Sequence, residues 1–92
     1  MKLTFDSVAI FEDKTDAVKF ACRHLDERNT ERFIICRVSR AYLTACCKLA
    51  DPRPDQLLEA YISVRDKVNA IATKEIAAGE HKPLIDLLHL RD

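Results

Sequence analysis

Apolar residues in this chain follow two different periods, and the change between them separates a strand-forming first half from a helical second half. Over residues 17–25 the period is two. Val18, Phe20, Cys22 and His24 fall on one side, with Lys19, Ala21 and Arg23 on the other. That alternation predicts a half-buried strand. Residues 32–38 are rich in the β-branched and aromatic types that suit a pleated surface and predict a second strand. Its core face comprises Ile34, Cys36 and Val38, with Phe33 and Ile35 on the reverse. The polar stretch 26–31 between them reads as a turn in which Asn29 takes the left-handed conformation cheaply. The two strands therefore pair as an antiparallel hairpin. Residues 3–11 predict an edge strand or extended arm ahead of the hairpin, set off by the polar break 12–16.

From Ser39 onward the spacing becomes helical. Ser39 is a good N-cap for a helix over 40–50, with Leu43, Cys46, Cys47 and Ala50 on one side. Pro52 and Pro54 stop it, since each keeps its predecessor out of helical geometry. Pro54 suits the first position of the next helix, and Asp55 suits its first turn. Leu57, Leu58, Tyr61, Val64, Val68, Ile71, Ala72 and Ile76 then recur every three or four residues. They predict one continuous helix of about six turns ending at Gly79. The apolar segment 84–90, after Pro83, adds a strand or packs as a tail. The expected fold is a single α+β domain over 1–92: a two-layer hairpin or meander of three to four strands against two helices, the second one long.

Composition supports a folded globule. The chain has 92 residues, of which 48% are hydrophobic, and a formal net charge of zero. Disorder would require fewer apolar groups and a large net charge. A balanced charge also removes any general attraction to nucleic acid or anionic lipid. No stretch approaches the roughly 18 apolar residues of a membrane span, and the first residues lack the apolar core of a secretory signal. The expected location is the cytoplasm, where the four cysteines stay reduced. Gly79 is the only glycine, so the glycine-rich loops that cradle phosphates are absent.

The motif order resembles a family of small bacterial proteins, domain-of-unknown-function family 1488. The residues that carry the resemblance are Phe11-x-Asp13, Ala17-Val18-Lys19-Phe20-Ala21 and Cys36-Arg37-Val38-Ser39-Arg40-Ala41-x-Leu43. The second half adds Leu58-x-x-Tyr61-x-x-x-Arg65 and Val68-x-x-Ile71-Ala72-x-Lys74. The likeness spans most of the chain. It departs at the hairpin turn, which is longer and more charged than usual, and at Cys46-Cys47, where aliphatics would serve. The family has no established activity, so the resemblance implies a fold and transfers no site residues.

Three constellations invite a chemical reading. Cys22 and His24 share a face with Cys36, and the hairpin could place the two cysteines opposite each other. Structural zinc, however, needs four ligands at recognisable spacings, so no metal or cofactor is expected. Cys46 and Cys47 diverge by about 100° on a helix and cannot pair with each other. His24, His81 and His89 are scattered, with no serine in a nucleophile elbow, and Glu59 and Asp66 fall on an exposed helix side. No enzyme is expected.

Residues 19–40 hold six basic residues against three acids, the one local charge excess. Arg23, Arg32 and Arg37 could line one exposed sheet face, with Arg40 at the next corner, and contact phosphates. Only Phe33 offers a stacking surface for bases, and the plainer reading is a solvated face with cross-strand Arg–Glu pairs. The leading expectation is a non-enzymatic interaction domain that forms a homodimer, because so few helices cannot cover both faces of a sheet. Phe33 and Ile35, or residues 84–90, would seek the partner. A nucleic-acid-binding module using the hairpin arginines is the alternative.

Overall fold

The computed structural model describes residues 2–91. Its elements run β1 (Lys2–Glu12), β2 (Ala17–Leu25), β3 (Glu31–Ser39), α1 (Arg40–Cys46), α2 (Pro54–Ser63), α3 (Arg65–Ala77), β4 (Leu84–Ile85) and a terminal 3-10 turn, Leu87–Arg91. The strands form one four-stranded sheet in the order β1-β2-β3-β4. The first three are an antiparallel meander, and β4 joins β3 in parallel after the helices cross one face. This is the expected α+β class, with a mixed sheet and three helices instead of two. Among the described residues no helix is long and apolar enough to cross a membrane.

The strand alternation survives unchanged in three dimensions. Val18, Phe20, Cys22, Cys36 and Val38 are buried beneath the helices, where Tyr42, Leu43, Leu57, Tyr61, Val68, Ile71 and Ile85 complete the core. Phe20 anchors it, with ring centroids 5.1 Å from Tyr61 and 6.2 Å from Phe5. The 26–31 turn forms as expected. Asn29 adopts φ 63°, and the Asp26 carboxylate accepts the backbone N–H groups of Arg28 and Thr30 at 2.9 and 2.8 Å.

The helical half needs two corrections. The first helix ends at Cys46, well short of residue 50, because Lys48 takes a left-handed φ of 54°. Its inward face carries Tyr42 and Leu43, both fully buried, whereas Ala50 is exposed. The helix over 54–79 is broken at Val64 (φ −116°, ψ 17°), although its apolar stripe does line the core. The Ser63 hydroxyl donates to the Ala60 carbonyl at 2.7 Å, and the Val64 N–H points back to Ala60 and Tyr61 at 3.2 Å. A serine competing for a carbonyl of the preceding turn is a recognised cause of such bends.

The far end matches the cap expected there. Gly79 sits at φ 99°. Its N–H donates to Ile76 O and that of Glu80 to Glu75 O, each at 3.0 Å, the paired bonds of a Schellman cap.

Candidate functional site

Because the helices cover one face only, the other face of the sheet is open. Pairing register decides what stands on it. Lys19 lies opposite Arg37, Ala21 opposite Ile35, Arg23 opposite Phe33 and Leu25 opposite Glu31. Their neighbours Val18, Phe20, Cys22, Cys36 and Val38 point into the core, so these residues point out. Leu84 pairs with Arg37 and extends the face onto β4. On β1, Ile10 pairs with Lys19, and Thr4 with Arg23. Between Phe5 and Ala9 the register shifts so that Asp6, Ser7 and Val8 oppose Ala21 alone, a bulge in the edge strand.

The open face is apolar across its middle and charged at its ends. Phe33 is 64% exposed, Val8 73%, Ile10 50% and Leu84 48%, with Ile35 less so at 38%. A shallow depression among Val8, Ile10, Lys19, Ala21 and Ile35 marks the centre. At one end Glu12 is gripped by Arg37 at 2.9 Å and Lys19 at 3.3 Å. Glu12 lies opposite Ala17 on β2, so reaching Arg37 takes its side chain over that strand. Ala17, beneath this bridge, is 1% exposed although its side chain points to the open face. Hydrogen bonds from Arg37, then from Thr15 and Lys19, hold the Glu12 carboxyl down at about 2. At the other end Arg23 faces Asp6 at 3.7 Å.

The four arginines singled out above do not line a common surface. Arg23 and Arg37 are on the open face. Arg32 pairs with His24 on the helical side of the sheet, which contradicts the expected alignment. A single-residue step along a strand reverses direction, and Arg32 is an odd number of residues from Arg37. Arg40 opens α1 and turns back over the β1–β2 corner, stacking 5.6 Å from the Phe11 ring centroid and donating to Pro52 O at 2.7 Å. Each of the four has a carboxylate partner: Asp6 for Arg23, Asp26 for Arg32, Glu12 for Arg37 and Asp16 for Arg40, at 2.8–3.7 Å.

The two hairpin thiols also sit differently from expectation. Cys22 pairs with Ile34 and Cys36 with Phe20, so the sulfurs are diagonal neighbours and do not face each other. Burial pushes the Cys36 thiol up to about 12 and raises that of Cys22 as well. His24 stands at the far end of the sheet, near Arg32, Glu80 and His81 in a cleft floored by Ile34 and Ile76. Among the described residues no three His, Cys, Asp or Glu side chains are grouped to hold a metal. Cys46 and Cys47 are half-buried near the α1–α2 junction, with Cys47 Sγ 3.8 Å from Ser63 Oγ.

The histidine that matters structurally is His89, which spacing alone leaves among the scattered ones. It is 5% exposed. Its Nδ1 accepts the Asp86 N–H at 3.1 Å, so the proton resides on Nε2, which donates to Glu75 Oε1 at 2.8 Å. Asp86 accepts the Ser39 hydroxyl at 2.7 Å, and Ser39 Oγ in turn accepts the Tyr42 N–H at 3.0 Å. The Ser39 hydroxyl is thus committed to capping and to Asp86, and the network ties the C-terminal turn to α1 and α3.

No family model matches the chain, and no curated protein does. Among solved structures, a protein of unknown function from the DUF1488 family of Shewanella loihica PV-4 has the same fold, with a TM-score of 0.78 over 94% of this chain and 96% of that one. Identity between the two is 14%, so the likeness speaks for the fold, and it agrees with the resemblance drawn from the sequence motifs.

Proposed function

We propose that this domain is a non-enzymatic interaction module that associates with a second copy of itself through the open face of its sheet. The observation that carries the reading is the apolar band of Val8, Ile10, Ile35, Phe33 and Leu84, which no element among the described residues covers. A band of exposed large apolar residues that crosses a whole sheet is a mark of an interaction surface. The sheet's edges are poorer candidates. β1 is interrupted by its bulge, and the Ser7 carbonyl there already accepts from Arg65 at 3.3 Å. β4 has two residues. Short and bulged edges discourage strand addition.

A catalytic role draws little support from the side chains. Cys22 and Cys36 are buried neutral thiols, and Ser39 spends its hydroxyl on Asp86. Nucleic-acid binding by Arg23, Arg32, Arg37 and Arg40 is disfavoured because every one is engaged by a carboxylate and they point to different sides.

Light scattering on the purified chain tests the reading. A dimer mass at micromolar concentration is the expected result, lost on Ile35→Asp with the circular dichroism unchanged. A monomer throughout sinks it. The nucleic-acid alternative would gain if the chain bound DNA or RNA in a salt-dependent way that Arg23, Arg32 and Arg37 changed together to alanine abolished.

A further inference from the structure

The self-association proposed above has a definite geometry, and this inference rests on that reading. Along β3 the residues that point to the open face are, in order, Glu31, Phe33, Ile35 and Arg37. The series runs acid, aromatic, aliphatic, base. Reversed and laid upon itself, it is self-complementary: Arg37 meets Glu31, and Ile35 meets Phe33. We infer that two copies stack open face to open face about a two-fold axis perpendicular to the strands, so that β3 of one lies antiparallel over β3 of the other.

Symmetry leaves few alternatives. A two-fold dimer uses the same patch on both copies, and face-packed sheets keep their strands aligned within about 30°. The axis then runs either along the strands or across them. An axis along the strands places like ends together, stacking the Lys19–Arg37 end on its own copy. That end holds two cations for one carboxylate, Glu12. Like charge would then sit on like charge, which an interface built for specificity avoids.

An axis across the strands swaps the ends. The cationic end then faces the end carrying Glu31, which makes no ion pair among the described residues. Arg37 Nε is held by Glu12, but a guanidinium has five N–H donors in a planar fork. It can serve Glu12 within its own chain and Glu31 of the second copy together.

The centre of the arrangement is apolar. The axis passes between Ile35 and Phe33, each of which covers the other's counterpart in the second copy. Face-packed sheets lie about 10 Å apart, filled by interdigitating side chains of this size. Val8, which the bulge sets opposite Ala21 at the level of Ile35, carries the apolar contact outward onto β1, while Ile10 and Leu84 flank the charged end at the level of Lys19 and Arg37.

The test is sedimentation velocity at low and physiological salt on the full chain and a short series of variants. Glu31→Gln removes an attraction, and Glu31→Lys sets a cation against Arg37 of the second copy. The expected order of dimer affinity is wild type, then Gln, then Lys, the last about tenfold weaker or more at low salt, with the spread shrinking as salt rises. Adding Arg37→Glu to Glu31→Lys, in a Glu12→Gln background that removes the carboxylate Arg37 serves within its own chain, recovers affinity relative to Glu31→Lys in that same background.

Equal affinity for the three residues at position 31 overturns the inference, because an axis along the strands leaves position 31 over Leu25 of the second copy. If wild type dimerises and Ile35→Asp does too, the open face is not the interface, and both the inference and the face assignment fall. Loss of dimer on Leu88→Asp alone would move the interface to the exposed C-terminal turn. A wild type that stays monomeric removes the self-association reading itself.

Discussion

Nε of Arg37 lies 2.9 Å from the Glu12 carboxylate, although these residues sit on β3 and β1, two strands that do not touch. The contact ties the edge strand to the centre of the sheet over β2. It also explains why Arg37, an obvious phosphate-binding candidate in the sequence, is occupied within its own chain.

That contact makes acid stability a readout. The Glu12 carboxyl is depressed from 4.5 to about 2, first by Arg37, then by Thr15 and Lys19. A carboxyl lowered in the folded state stabilises fully above its unfolded value and loses that contribution as pH falls. The melting-temperature gap between wild type and Glu12→Gln should therefore be positive near neutrality. It should close between about pH 4.5 and 2. A gap that does not change across that window would mean the ionised Glu12 is not what Arg37 holds.

The buried His89 should be a stability hot spot far from the open face. Replacing it with Phe leaves the Asp86 N–H without its acceptor and Glu75 without its donor. A cost of about 1–3 kcal/mol in chemical denaturation is expected. Hydrogen exchange should quicken first in the 84–91 segment, which the network holds down. Dimer affinity at saturating folded protein should not change, since the network is on the helical side.

Thiol labelling should separate the four cysteines into two pairs. Cys46 and Cys47 are half-buried and should react in the native state. Cys22 and Cys36 are fully buried and should react only on unfolding. For Cys36 the raised value of about 12 against 9.0 means the neutral thiol is favoured in the fold. Its stabilising contribution is complete below pH 9 and declines as pH climbs toward 12. Four equally fast thiols at neutral pH would contradict the placement of the two strand cysteines.

The Gly79 cap gives a clean backbone test. A Cβ there would meet nothing within 4 Å, so a substitution adds no clash. What remains is the left-handed φ of 99°, which costs a Cβ-bearing residue about 1–2 kcal/mol. Gly79→Ala should lose about that much, and Gly79→Asn less, because asparagine tolerates this region better. An alanine variant as stable as wild type would show that the helix can end another way.

Much of the architecture is legible in local pattern. The strand period at 17–25 and 32–38 placed every core side chain of the hairpin on its correct side, since alternation is a property of the backbone itself. Ser39, Pro54, Asn29 and Gly79 marked their caps and turns because each has a local backbone preference. Local pattern failed where local rules compete with packing. The stripe from Leu57 to Ile76 reads as one helix, yet Ser63 and Val64 break it, because an intact rod and a bent one share the same apolar face. Tyr42 stayed hidden in the first helix, as its seven residues, about two turns, give too few positions to define a face.

The candidate surface divides along the same line. Sequence by itself determined that Phe33 and Ile35 point away from the core and that the hairpin holds the surplus arginines. Only the tertiary structure decided that no helix among the described residues returns to cover that face, and that Arg23, Arg32, Arg37 and Arg40 are each matched by a carboxylate. It also moved Arg32 to the opposite side and brought Glu12 over β2 to Arg37. Those facts depend on pairing register and on contacts between residues far apart in the chain, such as the 25 positions separating Glu12 from Arg37. A periodicity of two or of 3.6 residues records which way a side chain points, and it carries no record of what the rest of the chain will set opposite.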